Sequence, residues 1–538
     1  MASASCSMRP SPCCIKCSAR RSADLRPIPG RRDNSLTARS KAAEGSSIGQ
    51  KYGIFAAMIT GPYLVLAVLL AYFALLVLVA EWATRRVKTD NQQFFTAGRQ
   101  SPWWLVSFGM IGASLSGVTF VSVPGWVATS SFSYLQMILG YVVGYAVVAF
   151  VLLPLYYRTA TTTIYGYLDQ RFGLTAYRTG AWIFLVSRWV GSSLRLFLVA
   201  AILHDLIGKP IGISFPITVV GVLSLIWLYT HRGGIRAVVF TDTLQTAAML
   251  GVLVWTLVVL FGELGVSDPW TWLWDQPESQ WFFPDASDGR NFWKQFLGGI
   301  FITITMTGLD QDMMQKNLTC RNLKEAQLNM MVFSVVLVGV NLLFLALGIV
   351  LYRYAALSGI DTVGDGLFAA VALAPGMPVA VGLLFVLGLV AAAYSSADSA
   401  LTALTTSFSV DILGVERMES ARAEKLRRRV HLGMTLAVGL LMIAVKPFAD
   451  QSIINTIFTT AGYTYGPLLG LFVLGQLSSI QPAGWWIPVA AILGPVLTYC
   501  ASLAAPHFLG YRFGFELILL NGLLTALLLA AGPKRSGL

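Results

Sequence analysis

Charged residues are scarce in this sequence. They make up 12% of its 538 residues, whereas hydrophobic residues make up 56%. Apolar runs of about 20 residues follow one another along most of the chain, a pattern that is typical of a polytopic membrane protein. The four histidines and six cysteines do not form a metal cluster by their spacing, and no HExxH motif or phosphate-binding loop is present. We therefore expect an all-α membrane protein that is not an enzyme and has no disulfide framework.

The net charge of +12 does not indicate a nucleic-acid partner, because more than half of it lies in one tail. Residues 1–57 contain ten Lys and Arg residues and three Asp and Glu residues. This tail is rich in Ser, Arg and Pro, and it lacks the apolar stretch of a secretory signal. We expect it to be a disordered basic extension, with Met58 as the true start of translation.

Thirteen hydrophobic spans are predicted along the rest of the chain. Outside the tail, twenty Lys and Arg residues fall in loops on the side of the C-terminus, and six fall in the opposite loops and their margins. The positive-inside rule then places the N-terminus outside and the C-terminus in the cytoplasm of a multi-pass protein of the cell membrane. A tail of ten basic residues on the outside conflicts with that rule, which is why we place the start at Met58. The predicted spans are 59–82, 103–128, 133–157, 179–204, 212–230, 237–262, 292–309, 327–351, 378–411, 430–446, 452–476, 485–504 and 514–532.

Only two basic residues are predicted to lie within the membrane. They are Arg188 and Arg195, both on the fourth span, and Arg195 lies near mid-depth. Lys316 is assigned to an inner loop. An arginine this deep in a membrane usually binds an anionic ligand or pairs with a buried carboxylate, and the sequence leaves both alternatives open for each residue.

The stretch 391–411 combines hydroxyl groups with a carboxylate deep inside a predicted span. Five hydroxyl residues recur at steps of three and four, which places them along one helix face. Asp398 lies beside this stripe, and a carboxylate in hydrocarbon costs about 2.5–3.5 kcal/mol, so it should face protein, water or an ion. Small residues also serve helix packing, but the carboxylate among them favours a site for a hard cation such as Na⁺. The hydroxyls belong to Ser395, Ser399, Thr402, Thr406 and Ser409.

Two predicted spans contain residues that interrupt a helix. The stretch 112–125 has three glycines, Pro124 and several hydroxyl residues, and the stretch 303–312, with three threonines and Gly308, indicates a similar break. Unwound segments free backbone carbonyls, which transporters use to hold ions. The two interrupted spans are five apart in order, which fits two five-helix halves of inverted topology.

Several stretches of the chain resemble the sodium:solute symporter family, whose members transport proline, sugars, monocarboxylates or sialic acid. The resemblance covers residues 59–532 and implies the LeuT-type fold. Its parts would be an extra N-terminal helix at 59–82, a first inverted repeat at 103–262, a second at 292–476 and two C-terminal helices at 485–532. The matching stretches are 112–125, 391–411, Gly233-Gly-Ile-Arg-Ala-Val-Val-Phe-Thr-Asp-Thr-Leu-Gln245, and Gly308-Leu-Asp-Gln-Asp-Met-Met-Gln-Lys-Asn-Leu318 followed by Glu325-Ala-Gln327.

The resemblance implies a sodium site between the second and ninth spans. It also implies a second sodium site, to which Asp242 of the sixth span contributes beside Asp398 and Ser399. Asp398 replaces the hydroxyl expected at its position, so it either strengthens this second site or binds a proton. The ligands of the main site would be the carbonyls of Gly112, Leu115 and Ala392 and the hydroxyls of Ser395 and Ser396.

For the solute, the resemblance points to side chains on four spans. Arg195 matches the arginine that binds the carboxylate in sialic acid transporters, and an Arg–carboxylate bond would anchor an acidic solute. Ser114 replaces the acidic residue of proline-type members, which argues against proline. An acidic sugar, a neutral sugar and a monocarboxylate all stay open. The implied solute residues are Ser114, Ser116, Thr119, Gln136, Arg195, Thr303, Met306 and Thr307.

The sequence thus predicts a monomeric, sodium-coupled symporter that imports a small organic solute by alternating access, with Na⁺, the solute and the lipid bilayer as its partners. One alternative is a proton-coupled transporter in which Asp398 or Asp242 titrates. Another is a membrane sensor that keeps the fold without net transport. Uptake that follows a pH gradient and ignores the removal of sodium would select the first alternative.

Overall fold

The computed structural model describes residues 61–85, 91–159, 162–285, 287–448, 453–508, 510–511 and 513–535. The basic extension and the predicted start at Met58 lie outside these residues. Within them the chain forms helices and no β-strand, which confirms the all-α prediction.

The body of the protein consists of long helices joined by short loops and four short connecting helices. Helix α4 continues through a π-turn into Leu153–Thr159. The bundle helices, of which α8 is a short half-helix, are α1 (Pro62–Thr84), α2 (Trp103–Ser114), α3 (Gly117–Ser130), α4 (Tyr134–Val147), α5 (Leu174–Leu203), α6 (Phe215–Glu263), α7 (Phe292–Thr303), α8 (Gln311–Asn317), α9 (Leu323–Ser358), α10 (Val379–Ser407), α11 (Ser420–Val445), α12 (Ile453–Leu477), α13 (Trp486–Phe508) and α14 (Leu517–Ala531). The connecting helices are Asn91–Thr96, Gly166–Phe172, Pro269–Trp274 and Leu367–Ala372.

Among the described residues, eight helices are long and apolar enough to cross a membrane. Three further apolar helices are shorter: Trp103–Ser114, Phe215–His231 and Leu517–Ala531. Helix α6 contains two predicted spans, because Gly234 adopts φ 52° and breaks the regular helix between them. A Cβ atom at this position would also lie 2.5 Å from the ring of Phe94, so both the backbone and the available space favour glycine.

The first predicted interruption is confirmed. Helix α2 ends at Ser114, and Leu115 leaves the helical region with φ −86° and ψ 75°. Ser116 is extended, and α3 begins at Gly117. Pro124 lies inside α3 without ending it, so the break is confined to two residues. The carbonyls of the last turn of α2 therefore lose their intrahelical donors.

The second predicted interruption is also confirmed. Helix α7 ends at Thr303 and passes into the π-turn Ile304–Gly308. The chain then turns at Leu309, and Asp310 caps α8 by accepting a hydrogen bond from the Asp312 N–H at 2.9 Å. A π-turn next to a capped restart separates two half-helices, and such turns are common at functional sites.

Helix α10 lies at the centre of the bundle. Every residue from Gly388 to Ser407 is buried, and the helix packs against α2, α3, α5, α6 and α11. A helix that is buried on all sides shields its polar groups from lipid. Asp398 is buried within the protein, which confirms the prediction that it does not face hydrocarbon.

Candidate functional site

The end of α2 and the middle of α10 meet at Gly112 and Ser395. A Cβ atom on Gly112 would lie 3.0 Å from Ser395 Oγ and 2.2 Å from Thr246 Oγ1. The Gly112 N–H donates a hydrogen bond to Thr246 Oγ1 at 3.0 Å, which fixes the last turn of α2 against α6. A Cβ atom on Gly117, just beyond the break, would lie 3.4 Å from that of Ala393. The two segments predicted to form the main sodium site are thus adjacent.

Each of these segments supplies oxygen atoms to the junction. The interruption at Leu115 exposes main-chain carbonyls at the end of α2. On α10, Ala392, Ser395 and Ser396 are all buried. The Ser396 hydroxyl donates to the Ala393 carbonyl at 3.1 Å, which leaves its lone pairs available as acceptors. Oxygen atoms from carbonyls and hydroxyls are the ligands that a hard cation prefers.

Asp242 lies against this junction, and each of its two oxygens faces a protein group. The Ser395 hydroxyl donates to Asp242 Oδ1 at 2.6 Å, and Lys316 Nζ lies 2.6 Å from Asp242 Oδ2. Both members of the ion pair are buried, with 0% and 1% exposure. The assignment of Lys316 to an inner loop was wrong, because it lies in α8, where every residue from Gln311 to Asn317 is buried.

Asp398 lies on the same helix as Ser395 but is only partly satisfied. Tyr229 donates to its Oδ2 at 3.0 Å, whereas no hydrogen bond reaches its Oδ1 from any residue that the structure describes. The Ser399 hydroxyl donates to the Ser395 carbonyl at 3.0 Å. Asp242, Asp398 and Ser399 therefore flank Ser395, but the carboxylates have different partners.

A cavity lies beside the α2–α3 and α7–α8 breaks. Seven of the eight predicted solute residues line it, together with Leu115 at the break itself. Leu115 therefore takes part in both the cavity and the ion junction. The seven are Ser114, Ser116, Thr119, Arg195, Thr303, Met306 and Thr307.

Gln136 is the predicted solute residue that does not line the cavity. Its Nε2 donates to the Arg290 carbonyl at 2.8 Å, and its Oε1 accepts from the Phe283 N–H at 3.2 Å. Both ends of the amide are thus occupied by the loop between α6 and α7. The side chain fastens that loop to the start of α4 instead of facing the solute cavity.

Four cavity residues with polar groups were not predicted from the sequence: Tyr134, Tyr141, Tyr145 and Asn341. The three tyrosines follow one another at steps of seven and four on α4, so they share one face, and this spacing could have been noticed. The hydroxyls of Tyr134 and Tyr141 lie 3.4 Å apart. They add rings and hydroxyl groups suited to a polar organic solute.

The two arginines of α5 have different surroundings. Arg188 pairs with Asp312 and lies 3.6 Å from Asp310; Asp310 also accepts from the Tyr465 hydroxyl at 2.5 Å. Both arginines line the cavity, but Arg195 forms no ion pair within the described ranges of the chain. Arg188 therefore fits the structural alternative, and Arg195 brings to the cavity a guanidinium without a direct ion-pair partner.

Comparison with known proteins identifies the family. A model of the sodium:solute symporter family matches residues 94–479. The sodium/sialic acid symporter SiaT of Proteus mirabilis is 24% identical over 497 residues, which cover 87% of this chain and 96% of that protein. The human sodium/iodide cotransporter is 28% identical over 432 residues, which cover 75% of this chain and 65% of that protein.

Solved structures show the same fold. A substrate-bound, outward-open Na⁺-coupled sialic acid symporter superposes with a TM-score of 0.72 at 21% identity, covering 88% of this chain and 99% of that one. MHP1, a nucleobase-cation-symport-1 family transporter, superposes with a TM-score of 0.50 at 14% identity, with 82% and 94% covered. Both are LeuT-like. The chain therefore belongs to the sodium:solute symporter family, as a multi-pass membrane transporter for Na⁺ and a small-molecule solute and not an enzyme.

Proposed function

We propose that the protein imports a small carboxylated solute, with an acidic sugar as the first candidate, by sodium-coupled alternating access. The observation that carries this proposal is the Arg195 guanidinium, which lines the cavity without an ion-pair partner in the described chain. A cavity that holds an unpaired cation favours an anionic solute. The sodium/sialic acid symporters among its relatives are consistent with this solute class.

The main sodium site is formed, in this proposal, by the carbonyls of Gly112, Leu115 and Ala392 and the hydroxyls of Ser395 and Ser396. Its support is the close approach of Gly112 to Ser395 and the helix break at Leu115. An ion that binds both segments stabilises the conformation in which they are adjacent. Because Leu115 also borders the solute cavity, that same conformation shapes the cavity, and coupling follows if both ligands prefer it.

A second sodium site is proposed around Asp398 and Ser399, next to Asp242 and its partner Lys316. It lies on the α6 side of Ser395, and the oxygen of Asp398 that lacks a partner supports it. A proton at Asp398 is the competing occupant. Uptake that depends on a pH gradient and not on sodium would select that alternative, whereas membership in a sodium-coupled family favours sodium.

The topology completes the proposal. We infer thirteen membrane spans with two inverted five-helix repeats, at 103–262 and 292–476, an external N-terminus and a cytoplasmic C-terminus, in a monomer. The two helix breaks fall at corresponding places in the two repeats, at Leu115 and at Ile304–Gly308. The distribution of Lys and Arg residues supports the orientation.

The experiment is a solute screen in proteoliposomes with an inward sodium gradient. Solutes are tested as pairs in which a carboxylate is exchanged for its amide. We expect concentrative uptake of the carboxylate member alone, and loss of that preference in Arg195→Ala. Arg188→Lys serves as the comparison, because Arg188 lines the same cavity but is paired to Asp310 and Asp312, and the substitution keeps its charge. Equal uptake of both members of every pair would contradict the proposed solute class.

A further inference from the structure

Three charged side chains meet in the protein interior where α6, α8 and α10 pack together. Lys316 lies 2.6 Å from one oxygen of Asp242, and Ser395 donates to the other oxygen at 2.6 Å. Asp398 interacts electrostatically with both Asp242 and Lys316. No exposure above 1% is found for these charged residues. Asp242 thus has a counter-charge and a hydrogen bond from the protein itself, which leaves little need for an ion there.

The charges of this cluster do not balance. When both carboxylates are ionised, they and the single ammonium leave one negative charge, and a buried charge without a partner is strongly unfavourable. The unmatched group is Asp398, whose Oδ1 has no hydrogen-bond partner in the part of the chain that the structure describes. Tyr229 donates to its Oδ2 only. One monovalent cation at Asp398 would neutralise the cluster.

Two more buried polar groups beside Asp398 also lack a partner. The Tyr72 hydroxyl, on α1, makes no hydrogen bond among the described residues, and Tyr72 interacts electrostatically with Asp398. The Gln245 amide, on α6, lies close to the Tyr229 hydroxyl that donates to Asp398, but neither of its polar atoms has a hydrogen bond of good geometry among the described residues. Buried polar atoms are rarely left unsatisfied unless a ligand or water completes them. Carboxylate, amide and hydroxyl oxygens together form the donor set of a hard cation.

We propose that Lys316 takes the place of an ion at Asp242, and that the second sodium ion binds at Asp398 with Tyr72 and Gln245. This inference rests on the proposed function and specifies its second site. Because the ammonium belongs to α8, it neutralises Asp242 without being transported. A sodium ion at Asp398 would then connect α1, α6 and α10.

The test measures sodium binding to the purified full-length protein. Thermal denaturation and ²²Na⁺ binding are recorded while sodium chloride replaces choline chloride at constant ionic strength. The wild-type protein should bind about two ions, and Asp398→Asn and Gln245→Leu should each reduce this to about one, since a Hill coefficient cannot exceed the number of sites. Tyr72→Phe should weaken the same ion. An unchanged number of sodium ions in Asp398→Asn would overturn the proposal, even if its response to pH changed.

Asp411→Asn is the matched control. Asp411 is also buried and follows α10, but Thr163, Tyr177 and Ser407 all donate hydrogen bonds to it. Its carboxylate therefore needs no ion. The number of sodium ions should stay at the wild-type value in this variant, and a loss equal to that of Asp398→Asn would show that any buried charge change removes the ion, which would overturn the assignment to Asp398.

Substitution of the lysine tests the other half of the inference. Lys316→Gln leaves Asp242 without a counter-charge, so sodium should raise its melting temperature more than that of the wild type. Lys316→Arg keeps the charge and should respond like the wild type. If Lys316→Gln does not fold, the double variant Lys316→Gln/Asp242→Asn tests the same role of Lys316. It removes both members of the ion pair and should still bind two sodium ions, because neither member is a ligand in this proposal. Loss of an ion in the double variant, or an unchanged sodium response in Lys316→Gln, would overturn the role of Lys316.

The proposed function fails in a distinguishable way. If Ser396→Ala does not weaken sodium binding and wild-type uptake is the same in sodium and in potassium, sodium coupling at the main site is wrong. If wild-type uptake requires sodium and Asp398→Asn still binds two ions, the coupling stands and the second site is misplaced.

Discussion

The Ser395 hydroxyl donates to Asp242 at 2.6 Å, and this contact joins the middle of α10 to α6 where the last turn of α2 ends. Ser395 also faces Gly112 closely enough that a single added methyl group would lie 3.0 Å from its oxygen. Ser395 of α10 is therefore in contact with both α6 and α2, which are distant from it in sequence. A change in any of these contacts should alter the response of the protein to sodium.

Ser396→Ala should weaken sodium binding without unfolding the protein. The hydroxyl is buried and donates within its own helix, so its loss removes a proposed ligand and little packing. We expect an increase of about tenfold in the sodium concentration for half-maximal uptake, equivalent to about 1.4 kcal/mol. Ser187→Ala is the control, since Ser187 is also buried and bonds within its own helix. Equal effects of the two substitutions would remove Ser396 from the site.

Gly112→Ala should abolish sodium-dependent uptake by separating α2 from its neighbours. The new Cβ atom would lie 2.2 Å from Thr246 Oγ1, and such an overlap typically costs about 1–3 kcal/mol. Gly251→Ala on α6 is the control, because no atom lies within 4 Å of its Cβ position. Sodium-dependent uptake by Gly112→Ala at the level of Gly251→Ala would show that the close approach does not matter.

Asp242→Asn should destabilise the protein, because it leaves the Lys316 ammonium buried without its counter-charge. Breaking a buried pair from one side costs about 3–5 kcal/mol. Thermal denaturation in choline medium should show a lower melting temperature, and replacing Lys316 by Gln in the same protein should recover most of the loss. A double variant less stable than Asp242→Asn would mean that the two side chains are not a pair.

Arg195→Ala and Arg188→Ala should have different effects. Arg195→Ala should lower the uptake of carboxylated solutes and leave the melting temperature close to the wild-type value, since no ion pair is lost. Arg188→Ala should lower the melting temperature, because Asp310 and Asp312 lose their partner. Parallel measurement of uptake and melting separates the two roles. Uptake of every solute by Arg195→Ala at the wild-type rate would show that Arg195 is not the anchor.

The helix breaks and the central helix could be predicted from the sequence because their signals are local. Glycine, proline or clustered hydroxyl residues inside an apolar run predict an interruption of the membrane helix. The breaks between α2 and α3 and between α7 and α8 both fall within such runs. Hydroxyls at helical spacing beside Asp398 likewise indicated a helix face that avoids lipid, and the structure adds that the helix is buried on all sides there.

The ion pair and the outer loop could not be predicted in this way. Lys316 follows a helix break, and its polar neighbours are typical of a loop. Its partner Asp242 lies 74 positions earlier in the chain, so no local pattern indicates the ion pair. Gln136 was assigned to the solute by the family resemblance, but the loop between α6 and α7 folds back and uses its amide. Contacts between residues that are far apart in the sequence depend on how the helices and loops pack, and a local sequence pattern does not predict that packing.

Solute accumulation in proteoliposomes tests the coupling most directly. Wild-type protein is given a carboxylated sugar with an inward sodium gradient, and in parallel an equal potassium gradient, with the same pH on both sides of the membrane. We predict accumulation above the external concentration with sodium only, and its loss in Ser396→Ala. Equal accumulation with sodium and with potassium would contradict a sodium-binding junction between Leu115 and Ser395.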